Sequence, residues 1–352
     1  MPRSRRRRRE LLRGAIGMQA AIYGLSGSQL TESERDFFRL ADPAGYILFK
    51  RNCLDIEQLR RLNDDLRELS GRPELPILID QEGGRVARMQ PPQWPAFPRA
   101  EVFAALYGLA PSSAIEATRV NARAIALTLR AAGINVNCLP LLDVRQPGAS
   151  DIIGDRALGE EPMQVAALGR AVLDGMASAG VVGVVKHMPG HGRALVDSHK
   201  ELPVVTASEA ALAVDLEPFE RLRWAPMGMM AHVVYTAWDA ERPASLSPTV
   251  IGDIVRERIG FDGFLMTDDL GMHALSGDFG VRAISAIAAG CDVALHCSGE
   301  MAEMEAIAAS VPALSADGEA RLARAMAGSL NEAEDLDYAQ AVDKRDALLA
   351  LV

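Results

Sequence analysis

Three of the six histidines in this sequence stand in one short stretch, Lys186-His187-Met188-Pro189-Gly190-His191-Gly192-Arg193-Ala194-Leu195-Val196-Asp197-Ser198-His199. Imidazoles beside an ammonium and a carboxylate could move protons, hold a polar ligand or bind a metal ion. The i, i+4 spacing of His187 and His191 suits a zinc pair on a helix. Pro189, Gly190 and Gly192 work against a helix there, so the metal reading loses its geometric basis and no metal or other cofactor is expected. Lys186 and His187 read instead as donors to substrate hydroxyls, and His191 as a residue that keeps the loop in shape. Asp197 and His199 could form an acid/base dyad, the carboxylate choosing the imidazole tautomer and stabilising its cation. An ordinary aspartate turn in a surface loop explains the same spacing.

Two further segments carry candidate groups. Gly260-Phe261-Asp262-Gly263-Phe264-Leu265-Met266-Thr267-Asp268-Asp269 reads as a turn, an apolar strand and two carboxylates. Asp268 on a rigid strand tip suits attack on an anomeric carbon or stabilisation of an oxocarbenium-like centre. The alternative is that one of the two aspartates N-caps a following helix. Asp80-Gln81-Glu82-Gly83-Gly84-Arg85-Val86-Ala87-Arg88 puts Asp80 at a strand tip before a glycine turn. Aspartate there can accept from two hydroxyls and arginine can fork onto an oxygen-rich ligand, unless the two simply pair across the turn. Gly154-Asp155-Arg156 carries the same ambiguity. Lys50, Arg51 and His296 are expected to line a mouth or meet solvent, and His273 to face solvent on a helix.

Short apolar, β-branched runs alternate with amphipathic segments along the chain. Strands are expected near Ala20–Tyr23, Tyr46–Phe49, Pro76–Ile79, Ile134–Leu141, Val181–Val185, Gly228–His232, Gly263–Met266 and Val293–His296. Helices are expected over Asp55–Ser70, Ser113–Ala132, Met163–Ala179, Ser208–Arg223, Ser247–Ile259 and Arg282–Gly290. This alternation implies βαβ units and a parallel sheet. No Gly-x-Gly-x-x-Gly run follows the first strand, which removes the dinucleotide-binding motif. Ionisable residues instead recur at strand ends: Lys50, Arg51, Asp80, Asp143, Lys186, His187, His232, Asp268 and His296. A closed barrel gathers such ends into one mouth, whereas an open sheet spreads them along an edge. The expected fold is therefore an α/β (β/α)8 TIM-like barrel in a single domain, residues 18–352, with an Ala-rich helical C-terminal tail packed on its outside.

Bulk properties set limits on function. The 352 residues are 49% hydrophobic and carry a net charge of -10, so there is no global electrostatic reason to bind nucleic acid or an anionic membrane. No run of about 18 apolar residues occurs, so no membrane-spanning helix is expected. Four scattered cysteines make no disulfide framework, which fits a reducing compartment. Residues 1–17, with Arg5 to Arg9 in a row, read as a basic disordered extension or as sequence upstream of a true start at Met18. Ordered patterning that begins just after Met18 favours the second.

Taken together, Lys186-His187-x-Pro189-Gly190-His191-Gly192, Asp197-Ser198-His199 and Thr267-Asp268-Asp269 resemble family 3 glycoside hydrolases, in the branch of single-domain bacterial β-N-acetylglucosaminidases of peptidoglycan recycling. The resemblance extends through Gly45-Tyr46-Ile47-Leu48-Phe49-Lys50-Arg51-Asn52, Asp80 to Arg85, Gly154-Asp155-Arg156 and Met230-Ala231-His232-Val233-Val234-Tyr235. It implies a cytoplasmic, monomeric, retaining β-hexosaminidase. Asp268 would be the nucleophile, His199 the acid/base and Asp197 its partner. Asp80, Arg88, Arg156, Lys186 and His187 match positions that bind the N-acetylglucosamine ring. The implied substrate is a small oligosaccharide or muropeptide with that sugar at its non-reducing end. Phosphorolysis of the same bond and a metal-dependent barrel hydrolase using His187, His191 and His232 stand as alternatives. Met188 departs from the family's usual Phe or Ile, expected in a pocket wall, and Arg193-Ala194 departs from a frequent Asp-Thr pair.

Overall fold

Eight parallel strands close into a barrel in the computed structural model, each hydrogen-bonded to its neighbours in chain order and the last to the first. They are β1 (Gln19–Gly24), β2 (Pro43–Leu48), β3 (Ile77–Ile79), β4 (Val136–Asn137), β5 (Val182–Met188), β6 (Met227–Met230), β7 (Phe264–Asp269) and β8 (Val293–His296). The structure describes residues 17–330 and 337–351, and the expected basic extension lies, up to Ile16, outside them. All eight anticipated strands are present. The fourth is much shorter than Ile134–Leu141, because Pro140 has no N–H to give a ladder. The segment nonetheless keeps to β5: Val184 N–H donates to the Leu139 carbonyl and Leu142 N–H to that of Lys186, at 3.0 and 2.7 Å.

Strand alternation sorts side chains between two cores. Leu78, Val182, Val184, Phe264, Met266, Val293 and Leu295 fill the barrel interior. Leu265, Ile77, Ile79 and Val185 face the surrounding helices. The helices are α1 (Glu32–Ala41), α2 (Ile56–Ser70), α3 (Ala100–Leu109), α4 (Pro111–Ala131), α5 (Pro162–Ala177), α6 (Glu209–Arg221), a π-helical segment at Val250–Arg258, α7 (Phe279–Ala289), α8 (Met301–Ala308), α9 (Ala316–Ala327) and α10 (Tyr338–Leu349). Helices α1 and α3 were not anticipated. The first carries a readable signal, a capping box in which Thr31 accepts from Glu34 N–H and the Glu34 carboxylate accepts from Thr31 N–H. Its Phe37 and Phe38 pack against Tyr23 of β1, and Phe38 also against Tyr46 of β2.

The C-terminal helices differ from the expected outer layer. Leu322, Ala325 and Met326 of α9 join Leu314 in the interior core, closing the barrel at the N-terminal end of its strands. Arg321 fastens this plug by pairing with Asp262 and Asp292. Helix α8 packs beside α7 in the outer layer, and α10 lies outside against α4, where Arg345 donates to Asn121 at 3.2 Å. One end of the barrel is therefore sealed, and the other is left for chemistry.

Helices α4 and α5 approach closely at Gly175, where a Cβ would overlap the Arg119 carbonyl and crowd Ala122. Gly175→Val is expected to cost about 2–3 kcal/mol of stability. Thermal unfolding should show a Tm several degrees lower, with turnover per folded molecule unchanged.

Candidate active site

The interior alternation that runs Phe264, Met266 along β7 and Val182, Val184 along β5 brings Asp268 and Lys186 next onto the same inward side. Leu78 on β3 is followed two residues on by Asp80. These three, with Arg88, Arg156, His187, His191, Ser198, His199 and Asp269, line an open pocket at the C-terminal mouth. Every anticipated substrate-binding residue lies there, and so do Asp268 and His199.

Lys186 organises one wall. Its ammonium, with the side chain only 2% exposed, lies 3.0 Å from Asp80 Oδ1 and 2.7 Å from Glu82 Oε1. Arg88 donates to Asp80 Oδ2 at 2.9 Å. Arg156 grips Glu82 with two parallel bonds of 2.8 Å, one to each oxygen. Burial alone would raise both carboxyls, but Lys186 and the arginines outweigh it. Asp80 is held well below the usual aspartate range, and Glu82 falls to about 2. The same carboxylates hold Lys186 above its ordinary value against the effect of burial. The wall is thus ionised throughout, with Asp80 both paired to Arg88 and facing the pocket. Asp155, by contrast, faces away to pair with Arg85 at 2.7 Å.

Asp143, fully buried past the end of β4, organises the base of the histidine loop. Its Oδ1 accepts from the N–H groups of His187 and His191, at 3.2 and 2.7 Å. Its Oδ2 lies 2.8 Å from His187 Nδ1. Burial would raise this carboxyl, and His187 draws it down to about 2. His191 reaches Ser198 Oγ at 3.1 Å, so it holds the loop's shape as expected. Burial, with His187 beside it, lowers its pKa to about 4. Gly190 takes φ +131°, and a Cβ there would press on Asp215.

At the loop's tip Asp197 Oδ1 accepts from both the backbone N–H of His199 and its Nδ1, each at 2.9 Å. The aspartate turn and the dyad are one structure. The His199 side chain is 63% exposed, so its Nε2 has access to a ligand. Hydrogen bonds from His199 hold Asp197 below its ordinary pKa against burial. Asp268 accepts from Asp269 N–H at 2.8 Å and caps no helix, since Asp278 caps α7. Burial would raise Asp268, but His187 and the hydrogen bond from Asp269 N–H hold it below the ordinary value, so it is a carboxylate.

Other expectations are corrected. His296 is buried rather than solvated, bonding Ser298 and lying 3.1 Å from Glu303. Arg51 reaches the Leu25 and Cys297 carbonyls, pinning the loops after β1 and β8 together. His273 is exposed but sits in a turn, not on a helix. Met188 is core, packed away from the pocket. His187, His191 and His232 bond to three different partners, and among the described residues no group of three His, Cys, Asp or Glu is placed to hold a metal. Glu82 was missed as a site residue, and Asp143 was placed at the mouth but given no role. An acid two positions past Asp80 and another beyond an apolar strand were visible in the sequence, but their partners were not.

Residues 22–327 match the family model described as glycosyl hydrolase family 3 N terminal domain. A beta-hexosaminidase of Methylococcus capsulatus is 38% identical over 312 residues, 87% of this chain and 91% of that protein. One of Alkalilimnicola ehrlichii is 40% identical over 282 residues, covering 79% and 80%. Among solved structures, NagZ from Neisseria gonorrhoeae in complex with N-trifluoroacetyl-D-glucosamine superposes with a TM-score of 0.81 at 32% identity, over 96% of this chain and 98% of that one.

The depressed carboxyls fix a pH dependence. Glu82 and Asp143 fall from ordinary values of 4.5 and 3.8 to about 2, so their stabilisation is complete above about pH 4.5 and is lost as pH falls toward 2. Glu82→Gln should flatten that acid limb. At neutral pH it should cost about 3–5 kcal/mol, because Arg156 and Lys186 lose their shared counter-charge. Thermal unfolding followed by circular dichroism across this pH range measures both effects.

Proposed function

The chain belongs to glycosyl hydrolase family 3, and we propose that it is a retaining exo-β-N-acetylglucosaminidase that works through a covalent glycosyl-enzyme. The observation that carries this reading is the opening of the Asp268 carboxylate and of His199, backed by Asp197, onto the same pocket as the charged wall of Asp80, Arg88, Arg156 and Lys186. The wall offers acceptors and donors to the hydroxyl groups of one terminal sugar. The β-hexosaminidase relatives and the sugar-analogue complex of NagZ support N-acetylglucosamine as that sugar.

In the first step an Asp268 oxygen attacks C1, and the bond from C1 to the leaving oxygen breaks. Protonated His199 gives its proton to that oxygen. Neutral His199 then takes a proton from water as the water oxygen attacks C1, releasing the sugar with its β configuration and restoring Asp268. Asp197 stabilises the imidazolium before the first step and after the second, and keeps the tautomer of the neutral ring in between. The natural substrate we propose is a cell-wall fragment such as an N-acetylglucosaminyl-anhydro-muropeptide, met in the cytoplasm. Four free cysteines support a reducing compartment.

Asp268→Ala is expected to cut hydrolysis of 4-nitrophenyl N-acetyl-β-glucosaminide by at least about 10³-fold, and wild-type turnover would sink the assignment. Removing His199 should cost up to about 10²–10⁴-fold in kcat/KM on a disaccharide, and much less on the aryl glycoside, whose leaving group needs little protonation. Equal losses on the two substrates would argue against proton donation.

A further inference from the structure

We propose that His232 is a positioning residue for Asp268, acting through Asp269 with its own tautomer set by Ser245. The proposal rests on Asp268 being the nucleophile.

The backbone of β7 loses its regular ladder where Asp268 sits. Its pairing with β6 ends at Thr267↔Met230. On the other side the register with β8 slips between Met266↔Val293 and Asp269↔Leu295. Leu295 N–H there donates to the Thr267 hydroxyl at 2.9 Å rather than to a carbonyl. A bulge of this kind re-aims a side chain at the cost of backbone support. Two residues beyond β6, the fully buried His232 supplies that support with its ring: Nε2 lies 3.0 Å from the Asp269 carbonyl oxygen.

A carbonyl only accepts, so Nε2 carries the proton. The ring's other nitrogen lies 2.7 Å from Ser245 Oγ and accepts from that hydroxyl. Ser245 is fixed in turn, its N–H donating to the Ala231 carbonyl at 3.2 Å. Burial lowers the His232 pKa, which agrees with a neutral ring. Asp269 is thereby held on every side. Its carbonyl is bound by His232, and its Oδ1 accepts from Gly271 and Cys297 N–H at 2.9 and 3.0 Å. Its own N–H donates to Asp268 Oδ1 at 2.8 Å. One oxygen of Asp268 is committed to that bond, which leaves Oδ2 to face C1. A pinned carboxylate presents one lone pair in a constant direction, whereas a free one rotates between two.

The test is a leaving-group series. His232→Leu should lower kcat/KM by about 10–100-fold, by the same factor for the aryl glycoside and a disaccharide, because attack rather than protonation is impaired. Inhibition by free N-acetylglucosamine should keep its wild-type constant. His232→Gln, whose amide can still donate to Asp269, should recover most of the rate. Rates are taken per folded enzyme. If the leucine variant does not fold, Ser245→Ala carries the test, with an expected loss of about 3–10-fold that is again independent of the leaving group. Wild-type rates in these variants, a loss that grows with poorer leaving groups, or a glutamine variant no better than leucine would each overturn the proposal. Asp268→Ala run alongside separates the two readings. If it is active, the nucleophile assignment fails. If it is dead while the His232 and Ser245 variants keep wild-type rates, only the positioning role fails.

Discussion

A lysine ammonium inside a barrel must have counter-charges, because an isolated buried charge is too costly to persist. Lys186 meets that requirement with Asp80 and Glu82, which approach it from the turn after β3. Two carboxylates around one cation would repel each other, and Arg88 and Arg156 complete the balance from the outer sides. The cluster therefore ties β5, the end of β3, its glycine turn and the segment before α5 into one unit. A wall built this way needs no rearrangement to be charged and oriented before a ligand arrives, which is how preorganised sites lower the cost of binding.

The rest of the mouth is graded in rigidity around that wall. Asp268 sits on a strand, its carboxylate fixed by the neighbouring peptide. The histidine loop starts as firmly, since Asp143 binds the backbone at His187 and His191, and Tyr235 donates to the Gly190 carbonyl at 2.7 Å. Arg193, one of the two positions that depart from the family's usual pair, reaches Asp215 of α6 at 2.5 Å and adds a further anchor. Beyond it Leu195 is exposed and the Asp197–His199 pair stands out at the tip. Asp268 and Lys186 are thus carried by barrel strands. His199 is presented from the tip of a loop.

Much of this was legible. Period-2 alternation in Phe264-Leu265-Met266-Thr267-Asp268 and in Val182-Gly183-Val184-Val185-Lys186 already assigns Asp268 and Lys186 to one face. The helices missed were α1, whose Thr31 and Glu34 form an overlooked capping box, and α3, whose Arg99 gives no side-chain cap. Glu82, which was missed, and Asp143, which was given no role, owe their importance to partners 74 and 44 positions away. No local pattern reports such a pairing.

Local covalent geometry makes alternation, glycine turns and strand tips readable one segment at a time, and so the sequence by itself determined the eight strands, most of the helices between them, the inward carboxylates and the loop that cannot be a helix. Closure of the barrel decided the remainder. It brought Glu82 to Arg156 and Lys186, set His232 against the Asp269 carbonyl, and buried His296 where solvent had been expected. It also turned α9 from an outer helix into the plug of the barrel. These outcomes depend on distances between residues far apart in the chain. They are governed by the need to pair every buried charge and fill every void, and those conditions exist only once the chain has folded.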